Sequence, residues 1–456
     1  FLFISVLFPK NKINFSATIL ETIVEGNEEK QIFKDDVIIK KNNILLLTNE
    51  AVYYPAKNQV ILINNVKMYD GGDSLFCDSL ILYDTKNTSF KAINNVNFFQ
   101  SDHSINCNKL EYNILDDTTK KILKLYDNVE ILDSLRIVRG DSINILYTDS
   151  LINHIDIFSN GEIINYKPVK IKNSKKTYLI EDYISSKRIF MDFLNGDSIN
   201  INLYGMAVTK LNIVRDSLLE GISNTTGDSI IINMKSETIQ RMQIIGGAEG
   251  KFVPEKYNSK VDTTITYNAE YIDYLVMEEK SILYDNAYLN YDFTELNAGK
   301  IFVDWKENRL KAKMENLIYP SINGFGEYPT FGDSMIFNLT TKRGKIYNAK
   351  TEYNEIYYNG KNIIRDNNSI LYVKDSHFTT CSNSTPHYLF QSDYMKIIPN
   401  DRIIAKPVIF HIQGLPIFYL PFAVFPNKNG KRISGWIMPA FGHRKSTGTY
   451  IEDLGY

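Results

Sequence analysis

The sequence predicts an all-β chain, an elongated roll that grows by adding short strands one after another. The first observation behind this is composition: Ile, Val, Tyr, Phe, Thr and Asn dominate, with 30 Tyr and 25 Phe in 456 residues. That is the mix of strands and tight turns. The second is that no 3.6-residue apolar period is sustained and helix caps are lacking. The third is an internal repeat.

At the start, Phe1-Leu2-Phe3-Ile4-Ser5-Val6-Leu7-Phe8 is an apolar run that stops at Pro9-Lys10. It is too short for a spanning helix, which needs about 20 residues. We read residues 1–12 as the remnant of a secretory signal, with a buried first strand as the other reading. No later run reaches helical spanning length, so any membrane crossing is by strands.

The repeat follows. One half is an Asn-Val corner, at Asn65-Val66, Asn95-Val96 and Asn128-Val129. The other half is a small residue, an acid or amide, one more position, then an aliphatic with a Tyr soon after. It occurs as Cys77-Asp78-Ser79-Leu80 to Tyr83, Cys107-Asn108-Lys109-Leu110 to Tyr112, Gly140-Asp141-Ser142-Ile143 to Tyr147, and Gly227-Asp228-Ser229-Ile230. Looser copies are Asn268-Ala269-Glu270-Tyr271 and Gly332-Asp333-Ser334-Met335. Each unit thus holds two strands and two turns.

Parity within a copy adds a prediction. Ile105 and Cys107 lie on odd positions, Leu110 and Tyr112 on even ones. A flat strand cannot turn all four to one face, but a bend or bulge at Asn108-Lys109 can. Leu75 and Cys77 against Leu80 and Leu82 show the same switch. Corners at a fixed interval describe a rolled sheet in which each rung covers the open edge of the one before. Its apolar interior is either filled by side chains, as in a closed solenoid, or open as a groove for acyl chains. The candidate groove residues are Leu80, Leu82, Leu110, Tyr112, Ile143 and Ile145.

Around Tyr319 to Tyr358, Gly324, Gly326, Pro329 and Gly332 cluster ahead of a Tyr-rich segment, read as the last rungs. After about Ile398 the repeat gives way to proline among aromatics: Pro407-Val408-Ile409-Phe410, Leu415-Pro416-Ile417-Phe418-Tyr419-Leu420-Pro421-Phe422, Pro426, and Ser434-Gly435-Trp436-Ile437-Met438-Pro439.

The net charge of -2 gives no electrostatic case for nucleic acid, although local patches can still meet anions. Three cysteines are too few for a disulfide framework. Cys77 and Cys107 hold the same repeat position and read as small buried residues. His377, Cys381 and His387 lack a fourth ligand at zinc spacing. Ser434-Gly435 lacks the Gly-x-Ser-x-Gly frame of a nucleophile elbow, and the repeat aspartates are explained by turns. No enzyme, metal or cofactor is expected.

With these motifs laid out, the chain resembles the organic-solvent-tolerance family of outer-membrane lipopolysaccharide-assembly proteins. Asn94-Asn95-Val96 and Cys107-Asn108-Lys109-Leu110-Glu111-Tyr112 resemble that family's periplasmic domain. Phe378-Thr379-Thr380-Cys381, Pro386-His387-Tyr388, Leu415 to Pro426 and Ser434-Gly435 to Pro439 resemble its approach to the barrel. The resemblance implies a periplasmic β-jellyroll over 13–413, a proline-rich connector over 414–432 with Pro416, Pro421 and Pro426 as stiffeners, and the start of a transmembrane β-barrel over 433–456. It implies lipopolysaccharide transport at the outer membrane, the jellyroll passing acyl chains toward a lateral gate loosened by Pro439. The implied partners are lipopolysaccharide, a bridge protein of similar fold and a plug lipoprotein inside the barrel. Cys381 is the implied disulfide residue, its partner lying beyond the sequence in hand. A soluble bridge built only of rolls, or a structural solenoid, are the alternative functions.

Overall fold

The computed structural model describes residues 14–452 and 455, apart from 26–27, 42, 84–88, 101, 116–118, 150, 171–176, 195–196, 216–217, 237, 256–262, 293, 324–328, 354–355, 399–400, 427–439, 445–447 and 453–454. The expected signal remnant and Pro439 lie outside the described residues. Among those described there is no α-helix, only a 3-10 turn at Pro55–Lys57. The chain divides into two compact units, Phe1–Ile244 and Ile245–Tyr456.

The first unit runs through β1 (Asn14–Ser16), β2 (Ile19–Glu25), β3 (Glu28–Lys41), β4 (Ile44–Tyr54), β5 (Gln59–Asp70), β6 (Asp73–Tyr83), β7 (Ser89–Gln100), β8 (His103–Ile114), β9 (Lys120–Leu132), β10 (Arg136–Thr148), β11 (Leu151–Lys170), β12 (Thr177–Leu194), β13 (Ser198–Arg215) and β14 (Leu218–Lys235). β1 and β2 both pair with β3. From β3 to β14 each strand is antiparallel to the next. The unit boundary falls within β15 (Thr238–Pro254).

Almost every pairing in this unit carries a register shift near mid-strand, and its cause is visible in the backbone. Two consecutive residues adopt positive φ at Asp35-Asp36, Asn64-Asn65, Asn94-Asn95, Asp127-Asn128 and Ser159-Asn160. Asn and Asp tolerate that left-handed region better than other side chains. The residue that follows turns inward and is buried: Val37, Val66, Val96 and Val129 are at most 2% exposed. The corner expected at Asn108-Lys109 is present between Ile93 and Val96 of β7 and Cys107 and Lys109 of β8. The positive φ, however, sits on Asn94-Asn95 of the facing strand, not on Asn108-Lys109. The inward set Ile105, Cys107, Leu110 and Tyr112 is buried on both sides of the bend.

The second unit continues with β16 (Ile265–Leu275), β17 (Lys280–Tyr291), β18 (Thr294–Asp304), β19 (Arg309–Lys313), β20 (Ser321–Asn323), β21 (Thr330–Phe331), β22 (Ser334–Asn338), β23 (Gly344–Tyr353), β24 (Ile356–Arg365), β25 (Leu371–Thr379), β26 (Tyr388–Ile398), β27 (Arg402–Lys406), β28 (Val408–Ile412), β29 (Leu415–Leu420), β30 (Ala423–Pro426), β31 (Ala440–Arg444) and β32 (Gly448–Glu452). Here some rungs are split at the corner into two short strands. β27 and β28 both pair with β26; β30 then pairs with β27 and β29 with β28. Pro407 and Pro421 occupy the two breaks, where no ladder N–H is required. The stretch read as a connector is therefore, up to Pro426, strand paired to the rung before it. β31 and β32 form a separate hairpin.

Candidate functional site

The inner wall of the first unit holds the candidate groove residues. Leu80, Leu110, Tyr112, Ile143 and Ile145 are each at most 1% exposed, all on the inward face; Leu82 is only half-buried. The Tyr112 and Tyr147 hydroxyls are buried without a hydrogen-bond partner. Burial pushes the Tyr112 phenol up to about 12, so both stay neutral donors facing an apolar interior. In the second unit, Leu296, Leu310, Ile322, Met335 and Phe337 enclose about 10 Å³ of free space. That is about the smallest volume that holds a water.

The corners that shape this wall depend on small donors. Thr48 donates to the Glu50 carbonyl at 3.2 Å, Cys77 to Ser79 at 3.2 Å, Ser186 to Arg188 at 2.8 Å and Ser392 to Tyr394 at 3.0 Å. Each reaches two residues ahead, across the bend. Cys77 and Cys107 are free thiols, pushed up to about 12 by burial, and so inert as nucleophiles. The sequence identified them as small and buried; their donor role is shared with Thr and Ser, which hid the pattern. At the equivalent place in β10 a Cβ on Gly140 would lie 2.5 Å from Ile157 Cγ2. The acid of the repeat bonds the next corner: Asn95 Nδ2 donates to Asp78 at 2.9 Å, and Asn348 Nδ2 to Asp333 at 2.6 Å.

In the second unit an aromatic ladder crosses five strands in register. Tyr358, Phe378, Phe390, Phe410 and Phe418 are successive cross-strand partners from β24 to β29. Their ring centroids lie 6.0, 5.2, 4.9 and 5.2 Å apart. The first four are buried, whereas Phe418 is 45% exposed. Beyond it β29 presents Leu415, Ile417 and Tyr419 to solvent, and Phe422 follows. β29 is thus apolar and exposed on both of its faces. Pro416 opposes His411 at a register shift, and Pro426 ends β30 opposite Arg402.

Cys381 is half-exposed at the end of β25, its Sγ 3.4 Å from His387 Nδ1. Thr379 fixes this loop, donating to the Tyr388 carbonyl at 2.7 Å and accepting from the Cys381 amide at 3.0 Å. Among the described residues no His, Cys, Asp or Glu group has a metal-binding arrangement.

The OstA-like protein family matches residues 59–179, on the corner-bearing strands, and the LptD protein family matches residues 403–456, on the terminal strands. Similar curated proteins, each described as an LPS-assembly protein LptD, come from Pseudoalteromonas atlantica (28% identical over 123 residues, 26% of this chain and 16% of the relative) and Idiomarina loihiensis (22% over 182 residues, 39% and 23%). A third, from Coxiella burnetii, is 26% identical over 113 residues, 23% of this chain and 13% of the relative. The matched segments therefore cover less than a quarter of each of these relatives. Among solved structures there is a likeness to LptH, the LptA homologous periplasmic component of a lipopolysaccharide transport device from Pseudomonas aeruginosa, at 12% identity and a TM-score of 0.16. It covers 32% of this chain and 82% of that one. The chain thus carries a segment similar to the OstA-like protein family on its corner-bearing strands and one similar to the LptD protein family on its last ones.

Proposed function

We propose that the chain carries lipopolysaccharide toward the outer leaflet of the outer membrane, as the periplasmic roll of a transporter whose barrel begins near residue 433. The observation that carries this reading is the presence of both family segments on one chain, the first of them on strands whose inner face is apolar. Acyl chains gain about 0.8 kcal/mol per buried CH₂, so a path through such a wall needs successive sites of similar affinity. Leu80, Leu110, Tyr112, Ile143 and Ile145 would line it, with Leu82 at its margin. The wall is closed by its own side chains, so lipid has to part it, and the unpartnered Tyr hydroxyls are suited to meet polar groups of the acyl linkage.

The role is transport and not catalysis. β1 and β2 are edge strands among the described residues, exposing Leu20 and Val24, and suit pairing with a bridge protein of similar roll. Cys381 suits a disulfide to a residue of the barrel, and Pro439 a weakened first barrel strand. Pro416, Pro421 and Pro426 stiffen the last rung at the barrel's approach. A plug lipoprotein in the barrel completes the proposed partners. Retention of lipopolysaccharide by the purified chain through size-exclusion chromatography tests the reading. Co-elution is expected, and loss of all lipid from a folded chain counts against it.

A further inference from the structure

We infer that the outer face of β23 to β27 docks on the phosphate headgroups of an anionic lipid surface. Two adjacent cross-strand rows build this face. One runs Lys345, Ile364, Tyr372, Lys396 and Ile404; the other runs Asn362, Lys374, Tyr394 and Lys406. Together they line an open basin of about 530 Å³. None of the four lysines makes an ion pair among the described residues. Lys396 lies over the Tyr372 ring at 5.7 Å, and Lys345 over Tyr347 at 4.3 Å. No acidic residue lies in either row; the nearest in register, Asp375 and Asp393, sit beyond Lys374 and Tyr394 at the corner.

The chain as a whole has a net charge of -2, so attraction to anions is a property of this face and not of the protein. Some lysines elsewhere are ion-paired, as Lys34 with Glu21 or Lys109 with Glu111. Four unpaired cations side by side repel one another, and an arrangement that leaves them unneutralised suits an external anion. The face decides which anion. Five strands span roughly 19 Å, too wide for one phosphate to touch all four ammonium groups. Lysine is also a point charge without the bidentate fork that selects a single phosphate. Ile364, Tyr372 and Tyr394 are between 42% and 60% exposed among the lysines. Apolar and aromatic groups between cations match the boundary of a bilayer, where rings sit at headgroup depth. This inference does not rest on the proposed transport role.

Sedimentation of the full 456-residue chain with phosphatidylglycerol–phosphatidylcholine vesicles, and with pure phosphatidylcholine vesicles, tests it. Binding to the anionic vesicles should be the stronger and should fall as salt rises, because exposed charges are screened over about 10 Å at 0.1 M. The variant Lys345→Gln, Lys374→Gln, Lys396→Gln and Lys406→Gln should bind about a thousandfold more weakly. The matching four Lys→Arg changes should keep binding, which separates charge from misfolding. Glycerol 3-phosphate at matched ionic strength should not displace the chain. Equal binding by the Gln variant, equal binding to phosphatidylcholine, or displacement by glycerol 3-phosphate would each overturn the inference; the last would indicate a pocket for a single free phosphate.

Discussion

Asn94 and Asn95 show how one pair of side chains turns a strand into a rung. A left-handed backbone costs an ordinary L residue roughly 1–2 kcal/mol, and Asn less because its amide bonds locally. The reward is a buried Val96 and an Asn95 amide that holds Asp78 of the neighbouring strand. Replacing Asn95 with Val should therefore destabilise the first unit by about 2 kcal/mol, read as a lower denaturant midpoint, while Asn95→Gly should cost less. His154 gives a pH-dependent test at the same scale. Burial by itself lowers its pKa, but hydrogen bonds with Asp192 at 2.6 Å and Asp156 at 3.0 Å outweigh that and leave it raised. Its stabilising contribution is complete below the unfolded value of about 6.5 and is lost as pH rises through the higher folded value. The melting difference between the natural chain and His154→Gln should thus be largest in mild acid and shrink in alkali. A difference independent of pH would contradict the double carboxylate clasp.

At the scale of the element, the terminal strands are held by their rings. The Phe410 ring lies between those of Phe390 and Phe418, so Phe410→Ala should cost about 3 kcal/mol and expose the preceding rung to protease. The same region shows what the sequence could and could not say. Asn-Val corners and the parity switch at Ile105, Cys107, Leu110 and Tyr112 were legible, because αL tolerance and period-2 burial are local. The Asp35-Asp36-Val37 corner escaped an Asn-based pattern although it obeys the same physics. The prolines at Pro416 and Pro421 read as a connector because proline usually breaks strands; Pro421 sits in the break between β29 and β30, where there is no ladder bond to lose, and Pro416 at the register shift opposite His411. The ladder from Tyr358 to Phe418 joins residues far apart in sequence, so spacing alone could not assemble it. The lysine basin was hidden for the same reason. Pro439 lies outside the described residues, and its proposed role stands on proline chemistry: Pro439→Ala in the full-length protein should tighten the first barrel strand and slow export. Unchanged surface lipopolysaccharide would remove it from the gate.

For the whole molecule, the two units share one grammar of corner, inward apolar residue and covered edge, and β29 is apolar and exposed on both faces. The central claim is that the inward face is the lipid's path. Photo-reactive residues placed singly at Leu80, Leu110 and Ile143, and at the outward Lys109 and Lys124, measure this in cells expressing the full-length protein. Lipopolysaccharide adducts at the three inward positions, with none at the two outward ones, are the predicted result. Absence of adducts at every inward position, or equal labelling of both faces, would contradict it and leave a filled structural roll.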